Sequence, residues 1–200
     1  MNGPTIDSLR RALVGYAARI ATPRGQPSAS VALIVRPGPA DMELLLIKRS
    51  VRQGDPWSGH MALPGGRHDP ADSSAAETAI RETWEEVGID LRLADRRLGR
   101  LDDVEPGSAK LQIVVSPFVF CVPPGTTTTI NEEVERAYWV GCRRLAAPQA
   151  TTEYLHALES GEQVSFPAIG YEDDVIWGLT YRILRQFIEI AFGTPDTGAG

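Results

Sequence analysis

The stretch that decides the fold is residues 65–89, which read GGRHDPADSSAAETAIRETWEEVGI. A serine pair at the start of this stretch and a glycine near its end predict a helix over residues 73–87. Ser73 or Ser74 can serve as the N-cap of this helix, because a serine side chain accepts a hydrogen bond from a free backbone N–H of the first turn. Gly88 can end the helix, because glycine readily adopts the left-handed conformation found at helix C-termini.

Three carboxylates share one face of this predicted helix. Glu82, Glu85 and Glu86 are spaced i, i+3 and i+4, and like charges at i,i+4 destabilise an isolated helix by about 0.2–0.5 kcal/mol. The ordinary interpretation of an acidic run is a solvated helix face. A bound cation is the alternative, since Mg²⁺ and Mn²⁺ prefer hard oxygen ligands. Arg81 precedes the three carboxylates and can hold one of them through a bidentate ion pair.

A glycine pair precedes the acidic helix. Gly65 and Gly66 allow backbone conformations that are closed to other residues and can bring free N–H groups close to a ligand. The chain contains no Gly-x4-Gly-Lys-Ser/Thr sequence, so a P-loop nucleotide site is excluded.

Length and composition limit the class of protein. The chain has 200 residues, 42% of them hydrophobic, and a net charge of −6. These values predict one folded domain without the basic face that a nucleic-acid polymer requires. No run of about 18 apolar residues and no signal peptide is visible, and two cysteines form no disulfide framework. We therefore predict a cytoplasmic protein that does not span a membrane.

The remaining pattern predicts strands interleaved with helices, which is typical of one α/β domain. We expect a helix and linker in residues 1–29 packed on the domain, the domain itself in 30–192, and a flexible tail in 193–200. The first helix is predicted over 7–20 with Asp7 as its cap, and the last over 175–192. Strands are predicted at 30–36, 42–48, 98–102, 112–121 and 137–140, followed by a short helix at 151–159 and a hairpin at 164–166 and 168–171.

Residues 66–89 resemble the Nudix box of Nudix hydrolases, Gly-x5-Glu-x7-Arg-Glu-U-x-Glu-Glu-x-Gly-U, where U is a bulky aliphatic residue. The second half matches residues 81–89, with Thr83 as a departure. Counting back from Arg81 places the glutamate of the first half on Ser73. Counting forward from Gly66 places it on Asp72, with one extra residue before Arg81.

That extra residue is similar to an insertion in the coenzyme A pyrophosphatase branch, which carries Gly-Gly-x-x-Asp-Pro-x-Asp. Residues 45–50, 63–72, 78–82, 101–103 and 176–184 also resemble that branch, and the likeness runs from about Ser30 to Ile190. Residues 53–60 depart from it, since the branch has a basic motif containing Gly-Gln there.

The resemblance implies a mixed β-sheet sandwiched between helices (α/β/α) and a small-molecule nucleotide substrate. The implied reaction is metal-dependent hydrolysis of a diphosphate bond, in coenzyme A or an acyl-CoA, giving phosphopantetheine and adenosine 3′,5′-bisphosphate. The alternatives are another nucleotide (ADP-ribose, NADH, a dinucleotide or a nucleoside triphosphate) or a Nudix domain that binds without turnover. A homodimer is also expected, because Nudix hydrolases are often dimers.

Site residues follow from the same resemblance. Glu82, Glu85 and Glu86 are expected to hold Mg²⁺ or Mn²⁺ and to act in catalysis with Arg81. The general base is left open between Glu82 and a downstream residue such as Glu132 or Glu133, whose ordinary role is an acidic helix start. The expected substrate-binding residues are Arg49, Gly65, Gly66, His60 and Trp57. For His60 the alternative is an exposed loop histidine, and for Trp57, which could stack on adenine, it is packing against the core.

Overall fold

Strand β1 (Ser28–Pro37) organises the main sheet of this computed structural model, which describes residues 3–22, 24–54, 57–93, 96–106, 112–157 and 163–193. The other elements follow in chain order. They are α1 (Ile6–Val14), β2 (Met42–Arg49), β3 (Met61–Ala62), β4 (Gly65–Arg67), α2 (Ala75–Val87), β5 (Arg97–Arg100), β6 (Val114–Cys121), β7 (Val134–Gly141), α3 (Cys142–Ala146), β8 (Thr151–Ala157), β9 (Gln163–Tyr171), β10 (Asp174–Ile176) and α4 (Gly178–Phe192).

The main sheet is mixed, and β1 has two different partners on one side. It runs parallel to β6 along its length and antiparallel to β4 at Ala29–Val31 and to β2 at Val35–Pro37. Strand β2 also pairs with β3 and β7, and β5 pairs with β6. Because β2 and β4 pair with different parts of β1, Gly65 and Gly66, the first residues of β4, lie where the sheet divides.

Helices cover both faces of this sheet, as the alternation along β1 shows. Leu33 and Val35 belong to one buried cluster, which includes Leu9 of α1 and Phe187 of α4. The side chains between them, represented by Ile34, belong to a second cluster that includes residues of α2. This two-sided arrangement confirms the predicted α/β/α sandwich, and it sets α2 against the face of β1 next to the glycines of β4.

The short helix predicted at 151–159 is wrong. Within the described residues, 151–157 form β8, which pairs antiparallel with β9 in a second sheet of order β10-β9-β8. The side chains of β8 alternate, with Tyr154 and His156 half-buried between exposed neighbours, which is the period of a strand. The partner strand is the next one along the chain, and the short polar stretch 151–157 did not by itself distinguish a strand from a helix; residues 158–159 lie outside the described residues.

The hairpin predicted at 164–171 is also corrected, because β9 runs unbroken through Pro167. Strand β10 pairs only with Ile169–Tyr171 of β9, so at Pro167 one side of β9 has no strand partner among the described residues. A proline, which lacks the N–H donor, is tolerated at such an edge position.

Helix ends differ from the prediction at both ends of the chain. Helix α1 ends at Val14 and is capped by Thr5 rather than Asp7. The last helix begins at Gly178, with Trp177 as its N-cap, because the preceding residues pair with β9 as β10. Strands β1 and β2 extend one or two residues beyond their predicted ends. The predicted start of the domain at residue 30 therefore falls inside β1. Residues 194–200 of the predicted tail lie outside the described residues.

Two further expectations can be compared with the structure. No disulfide joins the two cysteines, both of which are described; Cys142 is buried and Cys121 half-buried. Among the described residues, no helix is both long enough and apolar enough to cross a membrane. The cytoplasmic location and the homodimer stay predictions.

Candidate active site

The acidic helix forms with the caps that its sequence indicates. The Ser74 hydroxyl accepts a hydrogen bond from the backbone N–H of Glu77 at 3.3 Å, and Gly88 takes the left-handed conformation at the other end. One side of α2, which includes Ala79 and Val87, is buried against the sheet. The helix therefore has a fixed rotation, which determines how far each of the three carboxylates is removed from water.

Glu86 is the most buried of the three, with only 2% of its surface exposed. Its Oε2 accepts a hydrogen bond from the Gly65 N–H at 2.9 Å, and its Oε1 lies 3.9 Å from Nη1 of Arg49. Burial raises the pKa of Glu86 to about 8, and the nearby charges of Glu82 and Glu133 act in the same direction. An isolated carboxylate is costly to keep charged in such a place. The site therefore favours additional positive charge.

Glu82 and Glu85 are held from the side by Arg81. Its Nη1 donates to Oε1 of Glu82 at 2.9 Å and to Oε2 of Glu85 at 3.1 Å. The Glu82 side chain is 17% exposed and that of Glu85 is 50% exposed. Burial raises the pKa of Glu82 above its usual range. The three carboxylates thus form a gradient from the buried Glu86 to the solvated Glu85.

Arg81 is itself held by Asp72, a residue from the loop before α2. The Asp72 carboxylate accepts Nε of Arg81 on Oδ1 at 2.9 Å and Nη2 on Oδ2 at 3.1 Å. It also accepts the Thr78 hydroxyl at 2.8 Å and the Asp69 N–H at 3.0 Å. The hydrogen bonds from Arg81, above all, hold the pKa of Asp72 well below its usual range. The two alignments of the first half of the Nudix box placed its glutamate position on Ser73 or on Asp72. In the structure Asp72 is the one of these two residues that binds Arg81.

The two glycines approach other groups too closely for a side chain. At Gly66, an added Cβ would overlap the carboxyl group of Glu82. At Gly65, where φ is +151°, it would overlap the backbone oxygen of Ser30 in β1. Gly66 therefore lies directly against one carboxylate, while Gly65 donates its N–H to another.

The remaining predicted substrate residues divide into two groups. Arg49 faces Glu86, as described above. The ring of His60 instead meets Trp177 edge-on, with ring centroids 5.1 Å apart. The structure therefore brings Arg49 to the carboxylates, whereas the ring of His60 packs against that of Trp177. Trp57 is half-buried in the same loop, and its backbone oxygen accepts the His60 N–H at 3.2 Å.

Sequence reasoning did not identify a group of rings beside His60. The aromatic cluster comprises His60, Tyr154, His156, Phe166 and Trp177. Tyr154 and Trp177 stack with centroids 4.2 Å apart, and the other three rings lie within 5.6 Å of Trp177. Recognising β8 as a strand would have placed Tyr154 and His156 on one face, but no local signal brings them to Trp177.

The carboxylate oxygens of α2 are the type of ligand that a hard divalent cation prefers. In the described residues, however, these side chains are not arranged around a common metal position. There, no three His, Cys, Asp or Glu side chains are grouped to hold a metal ion, and Arg81 takes part in pairing two of the carboxylates. Burial nevertheless raises the pKa values of both Glu82 and Glu86. The charges of Glu85 and Glu133 raise the pKa of Glu82 further, and those of Glu82 and Glu133 raise the pKa of Glu86. A cation with carboxylate ligands would relieve that repulsion.

Comparison with known proteins adds independent findings. The family model described as NUDIX domain matches residues 26–160. A Photorhabdus laumondii protein named as an uncharacterized Nudix hydrolase NudL is 32% identical over 158 residues, which are 78% of this chain and 80% of that protein. The human mitochondrial coenzyme A diphosphatase NUDT8 is 30% identical over 183 residues, covering 89% of this chain and 74% of NUDT8.

Two further comparisons differ in scope. An uncharacterized Schizosaccharomyces pombe protein is 44% identical over 114 residues, but the match spans only 35% of that protein and 54% of this chain. The crystal structure of a MutT/nudix family protein from Enterococcus faecalis aligns with 93% of this chain and 69% of its own, with a TM-score of 0.60 and 15% identity. At that identity the likeness shows the fold, which agrees with the α/β/α sandwich.

Proposed function

The chain belongs to the NUDIX domain family, and we propose that it hydrolyses the diphosphate bond of coenzyme A or an acyl-CoA. Water adds across the P–O–P linkage, so the products are phosphopantetheine, acylated where the substrate is, and adenosine 3′,5′-bisphosphate. The observation that carries the chemistry is the placement of Glu82 and Glu86 against Gly66 and Gly65 of strand β4. The diphosphatase activity and the substrate are separate parts of the proposal and have separate support.

In this proposal Glu82, Glu85 and Glu86 hold Mg²⁺ or Mn²⁺. When bound, such a cation supplies charge neutralisation for the diphosphate oxygens and lowers the pKa of a coordinated water. The remaining contributions come from the chain itself. The carboxylate of Glu86 is held in position by the hydrogen bond from a backbone N–H. Because Glu86 is buried, solvent screens its charge less, and its attraction to a nearby positive charge is stronger.

Arg81 has an organising role in the proposed mechanism. One of its guanidinium edges is engaged by Asp72, and Nη1 reaches both Glu82 and Glu85. Such a planar donor fixes the carboxylates more tightly than a lysine would, because its hydrogen bonds have a fixed geometry. Arg49, on the other side of Glu86, supplies positive charge where the phosphate oxygens are expected.

Glu82 and Glu133 are the two carboxylates that we assign as candidate proton acceptors for the attacking water. The charge of Glu133 acts on both Glu82 and Glu86, which indicates that it faces the same region. Both glutamates pair with Arg52, at 3.6 Å for Glu132 and 3.1 Å for Glu133, but the side chain of Glu132 is 88% exposed and that of Glu133 only 43%. Glu133 is therefore the stronger downstream candidate of the two.

Two observations support coenzyme A as the substrate. The human relative named as a coenzyme A diphosphatase matches nearly the whole chain. The residue inserted between Gly66 and Arg81 resembles the insertion of that branch, and Asp72, within the same loop, holds Arg81.

A substrate panel tests this proposal. Coenzyme A, acetyl-CoA, ADP-ribose, NADH, diadenosine polyphosphates and nucleoside triphosphates are each incubated with Mg²⁺, and kcat/KM is measured for each. We expect the highest value for coenzyme A or acetyl-CoA. A higher value for another nucleotide would overturn the substrate, and no turnover of any member would overturn the enzyme in favour of a binding domain.

The matched control uses two glutamates of the same helix. Glu86→Gln removes a proposed ligand with little change of shape, and Glu77→Gln changes an exposed glutamate in the first turn of α2. We expect turnover to be abolished by the first substitution and retained by the second. If both substitutions had the same effect on turnover, the activity would not depend on the proposed site.

A further inference from the structure

Arg52 lies in the loop between β2 and β3, which includes residues 53–60, the part that departs from the coenzyme A pyrophosphatase branch. Its backbone N–H donates to the Ser58 hydroxyl at 2.6 Å, so the described part of the loop closes on itself. Its guanidinium extends out of the loop, with Nη1 3.1 Å from Oε1 of Glu133 and Nη2 3.6 Å from Oε1 of Glu132. The loop is therefore tied to the segment that precedes β7.

The backbone of Glu133 is fixed between two elements of the proposed active site. On one side, the Asn131 N–H donates to the backbone oxygen of Glu86 at 3.1 Å, and Oδ1 of Asn131 accepts the Glu133 N–H at 2.9 Å. On the other side, the backbone oxygen of Glu133 accepts the Ser50 N–H at 2.9 Å. Ser50 follows Arg49, whose guanidinium lies 3.9 Å from the Glu86 carboxylate. Both α2 and the end of β2 therefore hold Glu133 at the edge of the site that contains Glu86.

The carboxylate of Glu133 has one oxygen engaged and one that can accept a further hydrogen bond. Oε1 accepts the hydrogen bond from Arg52, and within the described part of the chain no donor lies on Oε2. Burial is the main cause of the raised pKa values of Glu82 and Glu86, and the charge of Glu133 raises both further. Glu133 therefore acts on the same region as these two carboxylates while its second oxygen stays available.

We propose that Arg52 is a positioning residue, which fixes the carboxylate of Glu133 so that its second oxygen accepts a proton from the attacking water. This inference rests on the proposed function and selects Glu133 over Glu82 as the proton acceptor. Glu82 accepts a hydrogen bond from Arg81 and is assigned there as a metal ligand, whereas Glu133 is left for proton transfer. A proton acceptor works only within hydrogen-bond reach of the group that it deprotonates, so its position matters.

The proposed step is balanced within the hydrolysis itself. The water oxygen forms a bond to one phosphorus as its proton passes to Glu133, and the bond from that phosphorus to the bridging oxygen breaks. The electron pair of the broken bond stays on the leaving phosphate. Arg52 takes no part in these bond changes and acts only through Glu133.

A purely structural role for this ion pair would have a different signature. The side chains of Arg52 and Glu133 are 42% and 43% exposed, and ion pairs between side chains as exposed as these contribute little to stability. Both backbones are already held by the hydrogen bonds described above, so the pair is not needed to close either segment. Loss of the pair should therefore appear in turnover and leave the thermal midpoint nearly unchanged.

The test is a double-mutant cycle, with kcat and KM measured in Mg²⁺ on the substrate that gives the highest kcat/KM. We expect Glu133→Gln to lower kcat about 100-fold or more, as loss of a proton acceptor does. Arg52→Gln should lower kcat about tenfold and leave KM unchanged, because it removes a supporting contact. The double variant should lose no more than Glu133→Gln alone. Arg52→Lys should restore most of the loss, since a single nitrogen makes the contact.

Glu135→Gln is the matched control, because Glu135 is a comparably exposed acid that pairs with Lys48 instead of Arg52, and it should leave kcat unchanged. Additive losses in the double variant, or a raised KM with unchanged kcat in Arg52→Gln, would overturn the positioning role. A loss of kcat in Glu132→Gln in place of Glu133→Gln would overturn the choice of acceptor. Turnover combined with any of these results leaves the proposed function standing, whereas no turnover of any nucleotide overturns both.

Discussion

Asp72 binds Arg81 through both carboxylate oxygens, with Oδ1 2.9 Å from Nε and Oδ2 3.1 Å from Nη2. The pair links the loop between β4 and α2 to the carboxylates of α2, because the same arginine also reaches Glu82 and Glu85. The position of the loop and the position of the carboxylates are therefore coupled through one side chain.

Replacing Asp72 is expected to reduce activity by releasing Arg81. Asp72→Ala frees the guanidinium of Arg81 to shift on Glu82 and Glu85, and loss of such supporting contacts typically costs about 10–100-fold in metal affinity or activity. We expect a decrease of that order in kcat. Ser73→Ala is the control, because Ser73 is the other residue that the box pattern could place there. An equal loss in both variants would contradict the assignment.

Alanine substitutions of Gly65 and Gly66 are expected to affect different properties, stability for Gly65 and activity for Gly66. Gly66→Ala places a methyl group against the Glu82 carboxyl, which can move, so activity should fall while the thermal midpoint changes little. Gly65→Ala meets the backbone of Ser30 at a φ of +151°, where neither side can give way, so the midpoint itself should fall. Paired measurements of kcat and thermal unfolding check this; a stable Gly65→Ala protein would contradict it.

Glu86 is expected to reduce the stability of the metal-free protein. Burial raises its pKa to about 8 in the folded chain. A carboxyl whose pKa is raised by folding stabilises the folded state below its unfolded pKa, and that contribution is lost as the pH rises through about 8. In EDTA, Glu86→Gln should therefore melt above the wild type at pH 8.5, with a smaller difference at pH 5.

The scale of this effect can be read from thermal scans at the two pH values. A difference of about 1 kcal/mol moves the midpoint by about 2–4 °C in a chain of this size. Glu77→Gln provides the control, since Glu77 is exposed on the same helix. A wild type that melts above Glu86→Gln at pH 8.5 in EDTA would show that the carboxylate is not destabilised by burial.

Asp102 is expected to anchor the segment after α1. Its carboxylate accepts the Tyr16 hydroxyl at 2.6 Å, the Arg19 N–H at 2.9 Å and the Arg19 Nε at 2.6 Å, and only 5% of the residue is exposed. Burial alone would raise the pKa of Asp102, but these hydrogen bonds outweigh it and lower the pKa. The stabilisation is present above the unfolded pKa and is lost as the pH falls through the folded value.

Asp102→Asn should lower the free energy of unfolding by about 1–3 kcal/mol at pH 7, which is typical when buried hydrogen-bonding groups lose a charged partner. The difference should begin to shrink as the pH falls toward the lowered pKa of Asp102, where the wild-type carboxylate also takes up a proton. Chemical denaturation at pH 7 and pH 3 measures both values, with the exposed Asp90→Asn as the control. An unchanged free energy at pH 7 would contradict the anchoring role.

How far the sequence predicts this molecule depends on whether the signal is local. Helix α2 has a serine cap, a glycine end and the spacing of Glu82, Glu85 and Glu86, all within a few turns, and the structure contains the helix as predicted apart from its first two residues. Strands β1 and β2 carry continuous apolar runs and lie close to the predicted bounds. The sandwich follows from these elements because each must bury an apolar face.

Contacts beyond each short stretch account for what the sequence did not predict. Strand β8 is defined by its pairing with β9, the next strand along the chain, because residues 151–157 alone also permit a short helix. The contact between His60 and Trp177 joins a loop in the first third of the chain to the start of α4, and neither local sequence indicates it. The ion pair of Asp72 and Arg81 could have been predicted from the sequence. Counting forward from Gly66 places the glutamate position of the Nudix box on Asp72.

The most direct test of the central claim is the identity of the products formed from coenzyme A. The wild type is incubated with coenzyme A and Mg²⁺, and the products are separated and identified by mass spectrometry beside Glu86→Gln and Glu77→Gln. The account predicts equal amounts of phosphopantetheine and adenosine 3′,5′-bisphosphate from the wild type and from Glu77→Gln, and neither product from Glu86→Gln or in EDTA. Intact coenzyme A after incubation with the wild type, or the same products from Glu86→Gln, would contradict it.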